Sequence, residues 1–415
     1  MLLWLSCLPL VVAQEAEEAN DEEPEQTAPL PRDEDDDDTP EVETESTIDG
    51  VEAKRGWRFA GDLRPIYDYF DLEARDGGTV SDDVFGARLR IGAEWGITKQ
   101  VHIGTRLAGR CFVDDCDLEF VMESATPASN GLEDGQFTLD QLYVHGFKKE
   151  RFDLAAGRLQ TRFVLRGGVY GKSLDRNDSN NVNVTWTDGI HATYRGFYGW
   201  ASHFVLQRNA RDGTGSIRRG LLDFDDSGAR NTYFLGFENI ERWGPVVQRA
   251  LDVSYLPDSL LKDGDPDGRR EDYWGLVGRL TVRWPQRSEG PRLRAGMEVG
   301  YAPERPTAEA VDLDGSGDVD GLAWDVVVSA MGFAPGHSIG LNYGRTGPAW
   351  FLSPQFRPNE ELIEIRYQWR PARLPLLEFR VRRRQDLDQL VGTLQKGNVL
   401  DGYVRLTWEF TIKDH

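Results

Sequence analysis

Arg380-Val381-Arg382-Arg383-Arg384 is the densest cationic stretch of the chain. In an extended strand alternate side chains share a face, so Arg380, Arg382 and Arg384 stand in one column about 6.5 to 7 Å apart. A guanidinium stays charged and meets carboxylate or phosphate through parallel N–H donors, so such a column offers successive anion sites. Arg88, Arg90, Arg106, Arg110, Arg158 and Arg405 fall likewise on the polar side of alternating runs, and Arg166 and Lys172 lie in the long connection after Arg158. Arg58, Arg64, Arg279, Arg283, Arg292, Arg294 and Arg366 share that parity, against fewer acids: Asp62, Asp68, Glu94, Glu298, Asp325, Glu364, Glu378 and Glu409. Two readings follow: a wall that attracts anions, or one whose guanidiniums are satisfied by neighbouring carboxylates.

Other chemistry is sparse. Asp312, Asp314, Ser316, Asp318 and Asp320 place oxygens at alternate positions, as in an EF-hand loop, with Gly317 at the turn. The twelfth position is Ala323 where a bidentate Glu is needed, so the segment reads as a weak surface calcium (Ca2+) site or as a flexible acidic loop. Cys111 and Cys116 are too few for a closed zinc site and read as a small loop-closing disulfide in an oxidising compartment. The six His are scattered, and there is no Gly-x-Ser-x-Gly, His-Glu-x-x-His or phosphate-cradling glycine loop, so no enzyme is expected. No other cofactor is implied.

The elements that hold these residues alternate with period two. Trp57, Phe59, Leu63, Tyr67 and Tyr69 oppose Arg58, Asp62, Arg64 and Asp68; Phe85, Ala87, Leu89, Ile91 and Trp95 oppose Arg88, Arg90 and Glu94. Further runs lie at about 101–110, 137–147, 152–160, 184–194, 198–207, 231–239, 246–256, 272–284, 292–301, 321–333, 337–345, 361–370, 376–384 and 401–412, sixteen in all. Most approach the 9 to 11 residues with which a tilted strand crosses a bilayer. Connections alternate between a few residues, as at 195–197, and long stretches, as at 112–136 and 161–183; about a dozen residues separate the first two runs. The pattern predicts an all-β transmembrane antiparallel barrel of about 16 strands, with short periplasmic turns and long extracellular loops. A soluble sandwich would bury one face of each sheet in an apolar core and would not keep arginine on so many inward positions. Trp57, Trp95, Tyr255, Trp274, Trp284, Tyr301, Trp369 and Trp408 near strand ends suit interfacial girdles.

The chain has 415 residues and a net charge of −22, but seventeen acids against Arg32 alone within residues 14–50 supply −16 of it. The remainder is nearly balanced and has no basic face for nucleic acid. No stretch after the amino terminus is long and apolar enough for a spanning helix. Residues 1–13 read as a signal peptide, 14–52 as a disordered acidic segment and 53–415 as the barrel.

The last strand sets Gly402, Val404, Leu406, Trp408 and Phe410 on one face, and resembles the recognition strand of bacterial outer-membrane barrels, with Thr411–His415 beyond the usual end. Gly157-Arg158-Leu159-Gln160 and Thr185-Trp-Thr-Asp-Gly189 also look porin-like. Residues 55–415 thus resemble the sixteen-stranded Gram-negative porins, with a looser likeness to the phosphate-selective porin O and P group. The resemblance implies a lumen narrowed by the connection Thr161–Val182, passive diffusion of small anionic or neutral solutes, outer-membrane lipid and the barrel assembly machinery as partners, and a homotrimer. The competing expectation is a plugged barrel serving as a structural or adhesion surface.

Overall fold

The computed structural model describes residues 56–113, 116–120, 135–149, 151–160, 186–209, 230–263, 270–284, 291–353, 357–372 and 374–413. The leader-like and acidic amino-terminal segments and the connection Thr161–Val182 lie outside them.

One sheet contains every strand. Its first half is β1 (Gly56–Glu73), β2 (Thr79–Gly96), β3 (His102–Phe112), β4 (Glu119–Phe120), β5 (Gln136–Lys149), β6 (Phe152–Gln160), β7 (Trp186–Arg195), β8 (Trp200–Asn209) and β9 (Arg230–Asn239). Its second half is β10 (Val246–Leu260), β11 (Glu271–Trp284), β12 (Arg292–Tyr301), β13 (Leu322–Ala334), β14 (His337–Thr346), β15 (Glu360–Trp369), β16 (Leu376–Asp386) and β17 (Asn398–Lys413). β4 is a two-residue strand parallel to β5. The other sixteen pair antiparallel with their neighbours, and β1 pairs with both β2 and β17, which closes the cylinder. Closure removes the unpaired edge, the condition for strands in hydrocarbon, where no water can take over a backbone hydrogen bond.

Alternation fixes which face is which. Along β16, Phe379, Val381 and Arg383 are exposed while Glu378, Arg380, Arg382 and Arg384 are buried. Large apolar residues are exposed around the whole circumference, among them Leu89, Leu107, Val144, Leu251, Leu280, Val328, Leu341, Ile365 and Val404. A band of that extent is stable only against lipid. Aromatics cluster at both rims: Trp57 stacks on Trp95 at 5.6 Å, and Tyr255 stacks on Tyr233 at 5.9 Å and on Trp274 at 4.3 Å. The less clean alternation over 137–160 has a physical cause. The β3–β5 register shifts between Arg106 and Leu107, the β5–β6 register shifts between Gly146 and Lys149, and Gly157 takes a φ of 122°.

The first long-side connection is shorter than the sequence suggests. β1 and β2 run on to the pair Glu73↔Thr79, leaving residues 74–78 as a tight turn. The acids Asp71, Glu73, Asp82 and Asp83 obscure the alternation there, because these strand ends stand in water. The turn is tied to the connection 387–397. Arg75 donates from Nε and Nη2 to Asp386 at 2.7 and 2.8 Å, and its carbonyl accepts from Leu394 and Gln395 N–H at 2.9 and 3.2 Å. The Asp386 hydrogen bond holds the Arg75 guanidinium above its ordinary pKa. Since Arg75 is partly exposed, Arg75→Ala should cost only about 1 kcal/mol. The change should appear as faster proteolysis within 387–397 with a barely altered melting temperature of the barrel.

Candidate functional site: the inner wall of the barrel

The inner face of β15–β17 is built from facing strands whose register sets Glu364↔Arg382, Glu378↔Arg405 and Arg382↔Asp401 as opposite charges, with the like pair Arg366↔Arg380 between them. Asp401 is the hub. It accepts from Arg380 Nη2 at 2.6 Å and from Arg382 Nε at 2.9 Å, and Arg384 Nε stands 3.8 Å away. Glu378 is the second hub, accepting from Arg405 Nη2 at 2.6 Å, from Gln368 at 3.0 Å and from the Tyr403 hydroxyl, with Arg366 Nη1 at 3.5 Å. The Tyr403 ring lies beneath the guanidiniums of Arg380 and Arg405, at 4.3 and 4.5 Å from its centroid. All of these groups are buried. A buried guanidinium is tolerated only when carboxylates and ring faces replace its water, which is why Asp401, Glu378 and Tyr403 interleave with the arginines.

This wall continues across the seam. Arg64, Arg88 and Arg90 on β1 and β2 are buried on the same face, and Arg88 Nη2 reaches Asp62 at 3.1 Å. Arg106 and Arg110 on β3 are half-buried, Arg110 lying 4.5 Å over the Phe112 ring. On the far side the surface changes character. Val205, Phe234, Leu256, Tyr273, Val277 and Ala323 form an apolar patch on the inner face of β8–β13. Trp350 and Leu352, from the connection between β14 and β15, turn in and fill it. The Tyr273 hydroxyl donates to the Ala349 carbonyl at 2.8 Å and accepts from the Phe351 N–H at 3.2 Å, anchoring the wedge. Gly275 and Gly300 make room for it: a Cβ on Gly300 would lie 2.6 Å from the Trp350 indole.

A closed barrel with a polar inner face and an apolar outer band limits the comparison to one architecture. The chain superposes on OprB of Pseudomonas putida with a TM-score of 0.54 at 11% identity, covering 86% of this chain and 94% of that one. The fold is that of the porin barrel. Weaker likenesses are to OccK9 (OpdG) of Pseudomonas aeruginosa, with a TM-score of 0.49, 15% identity and coverage of 86% and 98%, and to an anion-selective porin from Comamonas acidovorans, with 0.46, 11%, 84% and 100%. No protein-family model and no curated protein matches the chain.

Within this barrel, Arg88, Arg90, Arg106, Arg110, Arg380, Arg382, Arg384 and Arg405 lie together on the inner face of β16–β17 and β2–β3. Arg158 stands apart on β6, donating to the Leu139 carbonyl at 3.2 Å. Arg166 and Lys172 lie outside the described residues. Cys111 and Cys116 are joined by a disulfide at the end of β3, with Cα atoms 4.8 Å apart.

The loop of Asp312, Asp314, Ser316, Asp318 and Asp320 does not wrap round a point. Val319 N–H donates to the Pro306 carbonyl at 3.0 Å and Thr307 bridges Asp318, making a hairpin, while Asp320 Oδ1 accepts from Leu322 N–H at 3.0 Å. Among the described residues no three His, Cys, Asp or Glu side chains gather as a metal ion requires. These contacts tie the alternate-oxygen segment into a hairpin turn. Two features escaped the sequence reading: Asp401, whose inward parity was the available signal, and the Trp350 wedge, signalled by the apolar run Ala349–Leu352 inside a connection.

Proposed function

We propose that this protein is an outer-membrane porin that passes small hydrophilic solutes by diffusion, with a preference for anions. The observation that carries the preference is the surplus of buried arginine along the inner wall from β15 across the seam to β2. Arg366, Arg380, Arg382, Arg384 and Arg405 are matched there by Glu360, Glu364, Glu378, Asp386 and Asp401, and the surplus arises where Arg64, Arg88 and Arg90 continue the wall against Asp62. A surplus of fixed positive charge at low dielectric concentrates anions and offers bidentate contacts to carboxylate or phosphate groups. The apolar face of β17, ending in Trp408 and Phe410, supports handling by the barrel assembly machinery, and a homotrimer accompanies this reading.

The test is the reversal potential of the purified protein in a planar bilayer under a salt gradient. Discrete conductance steps with an anion-side potential are expected. Arg382→Gln should lower the anion-to-cation permeability ratio about twofold, the effect of one unit charge roughly 8 Å from the ion path. The seated Trp350 wedge favours a second reading, a barrel shut at its long-loop rim and serving as a structural surface. Absence of any step from folded protein would select it.

A further inference from the structure

Four histidines far apart in sequence meet on the inner face at the short-turn rim. His102 opens β3, His145 lies near the end of β5, His191 near the end of β7 and His203 near the start of β8. His145 Nδ1 is 3.0 Å from His102 Nε2, and its Nε2 contacts Asp153 Oδ1 on β6. His191 Nε2 is 3.3 Å from His203 Nδ1, and Thr193 Oγ1 bridges the two at 3.2 and 3.3 Å. Asp153 and Thr193 are register partners on β6 and β7, so the two pairs form one continuous collar. Imidazoles paired in this way take up and release protons, and each proton taken up changes the charge of the wall.

We infer that the collar is a second selectivity element, titrated by protons, which raises anion preference as the pH falls; the inference rests on reading the barrel as a diffusion channel. A contact between two ring nitrogens needs one donor and one acceptor, so each pair is held together while at least one nitrogen is unprotonated. Neutral His145 can donate from Nε2 to Asp153 and accept at Nδ1 from His102. Each further proton that the collar takes up adds a unit of positive charge to the wall.

The charged and titratable groups around the collar are fixed by their own partners. Glu94 on β2 accepts from Arg58 at 2.5 Å and from the Tyr143 hydroxyl of β5 at 3.0 Å. Arg195 on β7 lies 3.7 Å from Asp153, Arg106 stands on the inner face of β3, and Glu238 on β9 accepts from Gln248 at 2.6 Å. Asp252 on β10, whose carboxyl lies over Gly236, the register partner of His203, is paired with Arg279 of β11 at 2.6 Å. Histidine is the residue type here whose ordinary titration range lies between pH 5 and 8, and the histidine variants below separate its contribution from that of Asp252.

Reversal potentials of the full chain in potassium chloride at pH 8 and pH 5.5 test this. The anion-to-cation permeability ratio should rise at least about twofold on acidification, the effect of a single added charge near the ion path. His191→Gln with His203→Gln, and separately His102→Gln with His145→Gln, should each remove part of that rise and leave the pH 8 value unchanged. His203→Gln alone, at a half-buried site, gives a milder variant should the paired changes prevent folding. An equal rise in wild type and variants would assign the effect to carboxylates and overturn the collar, as would no rise in a conducting wild type. A channel with no anion preference at pH 8 that gains one at pH 5.5, lost in the variants, would overturn the arginine-based preference and support the collar.

Discussion

Gly300→Val should open the long-loop mouth and raise single-channel conductance. Valine suits a strand, and the inner face of β12 would accept it but for the Trp350 indole. A Cβ at Gly300 would lie 2.6 Å from Cζ2, 2.8 Å from Cη2 and 3.0 Å from Cε2 of a ring that packs fully buried among Val277, Ala323 and Leu352. A rigid bicycle in a packed cluster cannot yield by a rotamer change, so the wedge must leave its seat. Leaving forfeits the burial of Trp350, about 3 to 5 kcal/mol by analogy with large-to-small core substitutions. Trp350→Ala should give the same conductance change without the clash. Gly278→Val is the control, because a Cβ there meets nothing within 4 Å. The companion measurement is proteolysis within residues 347–353, protected in wild type and cut in Gly300→Val. Unchanged conductance together with a cleaved loop would show that the wedge does not narrow the path.

Asp401→Ala should be the most damaging single substitution on the charged wall. One carboxylate holds Arg380 and Arg382 by hydrogen bonds and stands 3.8 Å from Arg384, all out of contact with bulk water. Removing it leaves three guanidiniums crowded along one strand with their mutual repulsion uncompensated, at about 3 to 5 kcal/mol. The folded fraction, read as heat-modifiable migration on electrophoresis, should fall sharply. Asp401→Asn, which keeps the shape and a carbonyl acceptor, should be milder. Adding Arg382→Met to Asp401→Ala should recover part of the loss, since the interaction is pairwise and the two changes are not additive. Additive losses would mean that Asp401 acts through backbone packing instead of charge.

The barrel was legible because lipid outside and charge inside impose opposite preferences on adjacent residues. Val381 exposed beside Arg382 buried is that contrast at its sharpest. Strand ends standing in water lack it, which is why β1 and β2 were read as ending too soon around Asp71 and Asp82. The wedge was illegible for a different reason: Trp350 joins a cluster drawn from several strands, and no local periodicity encodes a contact made by a returning connection. The four histidines looked scattered because their neighbourhood exists only after strand pairing. Inward parity and closeness to a short turn were the available signals, and both are visible once the register is known.

The Arg75–Asp386 tie joins positions 311 residues apart in the chain. A contact of that range cannot nucleate folding, because the loop it closes must already have been shortened by all the intervening pairings. The tie becomes available only when β17 has docked on β1, so it marks the completion of assembly rather than its beginning. Acquired protection of the turn 74–78 and the connection 387–397 against proteolysis is therefore a clock for barrel closure in the membrane.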